Sequence, residues 1–424
     1  MKLTKVNTHD QLDNTLLVCV DVSKNKLNVF CPGKTMDLED EIGNRTNVIC
    51  KKLKEYEVFA KEQGFQGLSI LVEPTNTYHQ KILRIAHQMN HHTGIVNTES
   101  VSKMKVVESN DSGKTDIKDP RIIALLGKMR KVLKHRILDQ EYQSLRELNQ
   151  IYDDETKAMI ITKNHVSNML AKLFCDYPMG KDFIYSNSGR ALIKLYKANP
   201  NRIVRSGNKL FSKRMRQAVP RIRKSTIEKL WSAANQSVYH QTGQELQSIQ
   251  EDQLDRLMGR IHEQESTRSM VEDKVVELYR RLRLKDPSIP KAESGVITEF
   301  WMGSLLGEIG PINDFSSFKK LLRYVGLNLR ERQSGTYRGT TRISKKGRVL
   351  ARLILSRIIF PLIKKENLFG KYYHGKKDNG MPGKKAMVAV ERKFLKMFYG
   401  WYKSGKSFDK HRVFTCTSQY YKVA

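Results

Sequence analysis

Leu16-Leu17-Val18-Cys19-Val20-Asp21-Val22-Ser23-Lys24 is apolar at every position until a single carboxylate interrupts it. Both alternating faces are hydrophobic, the pattern of a strand in the middle of a sheet. An acid in such a strand needs a cation or a donor, because an unpaired buried carboxylate costs on the order of several kcal/mol. Asp21 is therefore a metal-ligand candidate, or else a strand-end residue that organises the turn at Ser23 to Lys26. A second run, Leu68-Ser69-Ile70-Leu71-Val72, repeats the design and ends in Glu73. Two core strands that each finish in a carboxylate point to a shared site at one sheet edge.

Outward from these strands the pattern alternates. Residues 27–30 pair back as a hairpin before Pro32-Gly33, and 44–63 form a helix with Val48, Ile49, Leu53, Tyr56 and Phe59 on one stripe, closed by Gly64. Pro74 stops the second strand, 78–90 is a helix, and 93–97 is a third short apolar segment. From 109 to 119 the chain turns polar, and a helix resumes over 122–132. Asp116 and Asp119 are three apart, which on a helix starting near Thr115 puts both carboxylates on one face. Pro120 favours the other arrangement, with Asp119 as the cap and Pro120 in first position, in which the two acids simply serve a helix N-terminus.

At 424 residues, 39% of them hydrophobic, the chain is long enough for two or three domains with real cores. Its formal charge of +32 is far beyond what solubility requires and points to a polyanion, with nucleic acid first. The best apolar run, 350–363, is broken by Arg352, Arg357 and Pro361, so no membrane span is expected. No secretory signal is visible, and the cysteines at 19, 31, 50, 175 and 416 contain no Cys-x-x-Cys. A reducing cytoplasm fits both features.

Residues 139–176 and 224–284 are two long tracts of helical period around thin apolar stripes. They predict an assembly and spacing module whose simplest form is an antiparallel hairpin. Between them, 177–219 loses its pattern among Gly, Asn, Ser and the basic residues Lys209, Lys213, Arg214 and Arg216. The last third opens with short helices separated by glycines over 294–311, a type of turn that presents backbone N–H groups to phosphate or merely forms helix corners. An amphipathic helix over 315–326 follows. Then comes the densest basic run, carrying Arg330, Arg332, Arg338, Arg342, Lys345, Lys346 and Arg348 around Ser334-Gly335 with Glu331 as its one acid, the composition of a loop that follows phosphates.

Four segments together resemble a known family. Val-Asp-Val-Ser-Lys at 20–24, Glu-Pro-Thr-Asn-Thr-Tyr at 73–78, Lys-Thr-Asp-Ile-Lys-Asp at 114–119, and Ser334-Gly335 followed by Ile-Ser-Lys-Lys-Gly at 343–347 are similar to the DEDD transposases of the insertion-sequence family called IS one-ten. The resemblance implies an α/β, ribonuclease H-like (RuvC-like) domain over 1–138 whose acids Asp21, Glu73, Asp116 and Asp119 hold Mg²⁺. It implies a helical, coiled-coil middle over 139–288 and a mostly helical transposase domain over 289–424 with Ser334 as nucleophile. It further implies a nucleoid-associated dimer or tetramer that cuts and rejoins donor and target DNA under the guidance of a non-coding bridge RNA. The family usually has Gly where Asn76 stands and Ala where Pro120 stands. Two other readings remain: a RuvC-type nuclease in which the acids activate water, and a non-catalytic basic assembly protein.

Overall fold

The computed structural model describes residue 12 and residues 14–109, 118–238, 243–330, 333–334, 337–339, 341–364 and 366–409. The chain divides into two compact units, Met1–Ile137 and Leu138–Ala424.

The first unit is built on a six-stranded sheet in the order β3-β2-β1-β4-β5-β6. β1 (Leu16–Val22) runs antiparallel to β2 (Lys26–Cys31), which pairs antiparallel with β3 (Leu38–Gly43). On its other side β1 is parallel to β4 (Leu68–Val72), and β4 to β5 (His92–Val96). The short β6 (Val132–Lys134) closes that edge antiparallel. Because successive side chains point to opposite faces, β1 feeds two cores. Val18, Val20 and Val22, with Ile70 and Val72, pack under α1 (Thr46–Glu62) and α2 (His79–Gln88). Leu17, Cys19 and Leu71 pack under α3 (Thr98–Ser109) and α4 (Lys118–Lys128), against Val101, Ile122, Ile123 and Leu126.

β3, α3 and β6 were not expected from the sequence. β3 reads Leu-Glu-Asp-Glu-Ile-Gly, with acids where a buried strand would be apolar, and an edge strand carries such charges because one side is open to water. The helix expected over 122–132 is α4, which begins earlier and gives way to β6.

The second unit is organised on two long helices, α5 (Gln140–Leu173) and α10 (Gln244–Lys285). Glu141 pairs with Lys285, and the Tyr152 hydroxyl donates to Glu272 at 3.0 Å, so the two run antiparallel. Between them the chain forms α6 (Asn187–Tyr196), α7 (Pro200–Ser206), α8 (Asn208–Ala218) and α9 (Lys224–Ser237). These cover the far ends of the pair around a core of Leu170, Tyr196, Phe211, Leu230 and Leu257. The region that lost its pattern in the sequence is thus a helical cap, whose periodicity is faint because its buried residues are few among basic ones. The single tract expected over 224–284 is two helices, α9 and α10.

At the near ends, Leu145, Tyr152, Val275 and Tyr279 join a larger core with α11 (Glu299–Ile309), α12 (Phe318–Val325), α13 (Val349–Leu362), α14 (Leu368–Asp378) and α15 (Gly383–Ser404). Of the glycines expected to separate short helices, Gly303 and Gly307 lie inside α11, whereas Gly295 precedes it and Gly310 ends it. A Cβ at Gly303 would stand 2.8 Å from Val275 Cγ1, and one at Gly307 2.6 Å from Leu145 Cβ. They let α11 press between α5 and α10 and are buried, not offered to phosphate. Among the described residues no helix is long and apolar enough to cross a membrane.

Candidate functional site

Val20 lies opposite Val72 in the parallel pair of β1 and β4, so Asp21 and Glu73 are the next positions of adjacent strands. Strands in a sheet are about 4.8 Å apart, and residues in register share a face. Asp21 falls on the face of Leu17 and Cys19, and Glu73 on that of Leu71, the side covered by α3 and α4. α4 lies close over that face at Gly127, where an added Cβ would stand 2.7 Å from Leu71 Cδ1 and 3.1 Å from Leu17 Cδ1. Ile122 and Ile123 seat its first half, and the turn before them carries Asp119. Pro120 is in that first turn, where its missing N–H would have had no helical partner.

The electrostatics of Glu73 report the convergence. Partial burial raises its pKa first of all; a hydrogen bond with Thr98 and the charge of Lys105 oppose this, and the negative charges of Asp119 and Asp21 raise it further. Asp21 and Asp119 are therefore both within electrostatic reach of Glu73. Lys105 forms an ion pair with Asp119, whose side chain is only 14% exposed. Asp116 lies outside the described residues.

Thr98 and Lys105 were missed by sequence reasoning because α3 itself was missed. The available signal was its start: Asn97 accepts the Glu99 N–H at 2.8 Å through its side chain, as an N-cap residue does. The turn after Glu73 carries a second local signature. Asn76 has φ 45°, a left-handed conformation that asparagine tolerates better than most residues and glycine adopts freely, so asparagine can stand where the family was expected to have glycine.

The acids suit a hard divalent cation. Their donors are all oxygen, and the mutual repulsion that raises the Glu73 pKa is what a nearby double positive charge relieves. Among the described residues no three His, Cys, Asp or Glu side chains are disposed to hold a metal ion as they stand. The Lys105 ammonium supplies the local positive charge.

The basic run forms the second candidate element. β7 (Leu329–Arg330) pairs with β10 (Arg342–Ile343), and inside them β8 (Gln333–Ser334) pairs with β9 (Tyr337–Arg338), with Ser334 opposite Tyr337. Arg332 and the side chains of Ser334 and Arg338 lie outside what is described. Arg330 and Arg342 sit directly opposite each other, both exposed. Like charges in that position destabilise a strand pair, so the pairing favours an anion beside it.

At the base, the Ser344 hydroxyl donates to Asn328 Oδ1 at 2.5 Å, and the Lys345 N–H donates to Gly326 O at 3.1 Å. Lys345 has φ 55°, and a Cβ on Gly347 would stand 2.3 Å from Tyr324 O. The turn is thereby pinned to the end of α12 while Lys345 and Lys346 face solvent. Arg348 is differently placed. Its guanidinium donates to Glu308 Oε2 at 3.0 and 2.8 Å, and the Glu308 side chain is fully buried.

Comparison with known families gives two matches in chain order. Residues 18–175 match the IS110 DEDD transposase model, and residues 297–374 match a model described as transposase, IS116/IS110/IS902 family. No curated protein matches the chain. The first match contains all four candidate acids and the second contains Ser334 with its paired strands. The chain belongs to the IS110 family of DEDD transposases.

Proposed function

We propose that this insertion-sequence transposase cuts and rejoins DNA with a metal-assisted acid site in its first unit and a serine nucleophile in its second. The observation that carries the acid half is the gathering of Asp21, Glu73 and Asp119 at the ends of β1, β4 and α4. Reading the first unit as ribonuclease H-like is supported by the strand order β3-β2-β1-β4-β5 with β2 antiparallel to its neighbours. The division into a nuclease domain over 1–138, a helical region over 139–288 and a transposase domain over 289–424 is part of the same reading.

In this mechanism Asp21, Glu73, Asp116 and Asp119 would hold Mg²⁺, which would supply positive charge against the charge developing on the scissile phosphate. Thr98 orients the Glu73 carboxylate, and the Lys105 ammonium balances the charge of the acids. Arg330, Arg332, Arg338, Arg342, Lys345 and Lys346 neutralise the DNA backbone around Ser334. Ser334 Oγ attacks phosphorus and loses its proton; the Oγ–P bond forms, the bond to the departing deoxyribose oxygen breaks, and that oxygen takes up a proton. The phosphoserine link keeps the phosphoryl group activated, so strands can be exchanged and resealed without ATP. From the family resemblance come the bridge RNA that pairs with donor and target, and the dimer or tetramer in which one protomer's serine meets another's acids.

Ser334→Ala tests the nucleophile. The expected result is loss of covalent protein–DNA adducts on denaturing gels and of recombination, with DNA binding retained. Full recombination by that variant overturns the assignment, and adduct-free cleavage by the wild type instead favours hydrolysis by acid-activated water. Asp21→Asn and Glu73→Gln are expected to lose Mg²⁺-dependent activity; activity unchanged in EDTA removes the metal from the mechanism.

A further inference from the structure

The helical cap is the part of the second unit that the catalytic reading does not use, and its charge is one-sided. Between Asp182 and Glu228 the chain has no acidic residue at all. Some of its cations are neutralised inwardly by α10: Arg190 with Glu265 at 2.7 Å, Arg202 with the buried Glu251 at 2.6 Å, and Lys197 with Asp255. The outward ones are not. Lys209, Lys213, Arg214, Arg216, Arg221 and Arg223 are all exposed and make no ion pair with the described residues.

Their placement is ordered by helix geometry. On α8, Phe211 and Met215 are buried in the cap core, so Lys209, Lys213 and Arg216, at i, i+4 and i+7, share the opposite face. Like charges at those spacings destabilise a helix. α8 and α9 each begin without an acid in the first turn, and Lys209 and Lys224 stand at the positive ends of the two dipoles. No acid among the described residues pairs with these outward cations to offset the costs, whereas a polyanion would.

The aromatic residues narrow the partner. Phe211 packs against Tyr196 and Trp231 at ring-centroid distances of 5.2 and 6.0 Å, facing inward. Among the described residues no aromatic side chain of the cap is an exposed large hydrophobic, so they offer no platform on which single-stranded bases stack. Charge without stacking suits the phosphate backbone of a duplex.

We propose that the outward face of α8 and the α8–α9 connection form a second DNA-binding surface, which grips duplex DNA through its phosphates, without base reading and apart from the bonds being cut. The choice of DNA rests on the transposase reading; the surface itself does not depend on the metal or on Ser334.

The test is binding by the full chain, with no requirement for catalysis. Fluorescence anisotropy with a long duplex, a short duplex and an RNA hairpin is followed over a salt series for wild type and for the triple variant Lys209→Gln, Lys213→Gln, Arg216→Gln. Each lost phosphate contact lowers the slope of log affinity against log salt by about 0.9. The variant is expected to lower it by about 2 to 3 on the long duplex, weaken binding there roughly ten-fold or more, and erase the advantage of long over short duplex. An Arg221→Gln, Arg223→Gln variant, altered outside the helix, is expected to act in the same direction and guards against a folding defect in α8. Unchanged slopes in both variants overturn the surface. A loss confined to the RNA hairpin overturns the assignment to DNA. Loss of adducts by Ser334→Ala with these slopes intact bears only on the catalytic reading.

Discussion

Arg348 lies in the basic run around Ser334, yet its geometry assigns it to the fold. Its Nε and Nη2 both reach Glu308 Oε2, at 3.0 and 2.8 Å, and among the described residues the other side chain bonded to that carboxylate is Asn149, 3.3 Å from Oε1. Arg348→Met leaves the fully buried Glu308 carboxyl group held, among the described side chains, by one amide. Removing one partner of a buried pair costs about 3–5 kcal/mol. Because the Arg348 side chain is itself 38% exposed, water already screens the pair, and the lower end, about 3 kcal/mol, is expected. Glu308→Gln should cost less, and the double variant should recover part of the Arg348→Met loss, since no unpaired charge then remains inside. Urea denaturation of the four proteins gives the cycle. If Arg348→Met is nearly neutral for stability but lowers the salt slope of DNA binding by about 0.9, the pair is incidental and Arg348 is a phosphate ligand.

Three further outcomes follow from the same geometry. Glu73 has a pKa raised by burial, so folding favours its protonated form; the stability this gives is present at low pH and lost as pH rises through the raised folded value. In EDTA, Glu73→Gln should therefore melt higher than wild type at neutral pH, with the difference closing on acidification; a lower melting temperature at neutral pH contradicts the crowding of acids. Gly307→Ala should destabilise the second unit by about 1–2 kcal/mol, because its Cβ meets Leu145 Cβ at 2.6 Å and the overpacking outweighs the gain in helix propensity. Gly259→Ala on α10, where nothing lies within 4 Å, should instead stabilise by about 0.5–1 kcal/mol, and equal effects at the two glycines would discredit the packing argument.

The strands that end in acids were legible because β1 and β4 are buried on both faces, and a carboxylate is conspicuous in a run such as Leu16 to Val22. β3 was not, since an edge strand reading Leu-Glu-Asp-Glu-Ile-Gly carries only Leu38 and Ile42 to mark it. Nor was α3, which is mostly polar and contributes Val101 to the core while bringing Thr98 and Lys105 to the site. The glycines of α11 misled in the other direction: Gly303 and Gly307 permit helix contact, and a spacing of four on one face was the clue.

The basic run shows where local reading stops altogether. Arg342 and Arg348 are six positions apart and equally cationic, yet one faces Arg330 across a strand pair and the other is bonded to Glu308, forty positions upstream. The same division recurs in the helical cap, where Arg202 pairs with Glu251 and Arg216 faces water. Within each run, composition sets how much positive charge is available. The tertiary position of distant acids decides which of those charges hold the fold together and which remain for DNA.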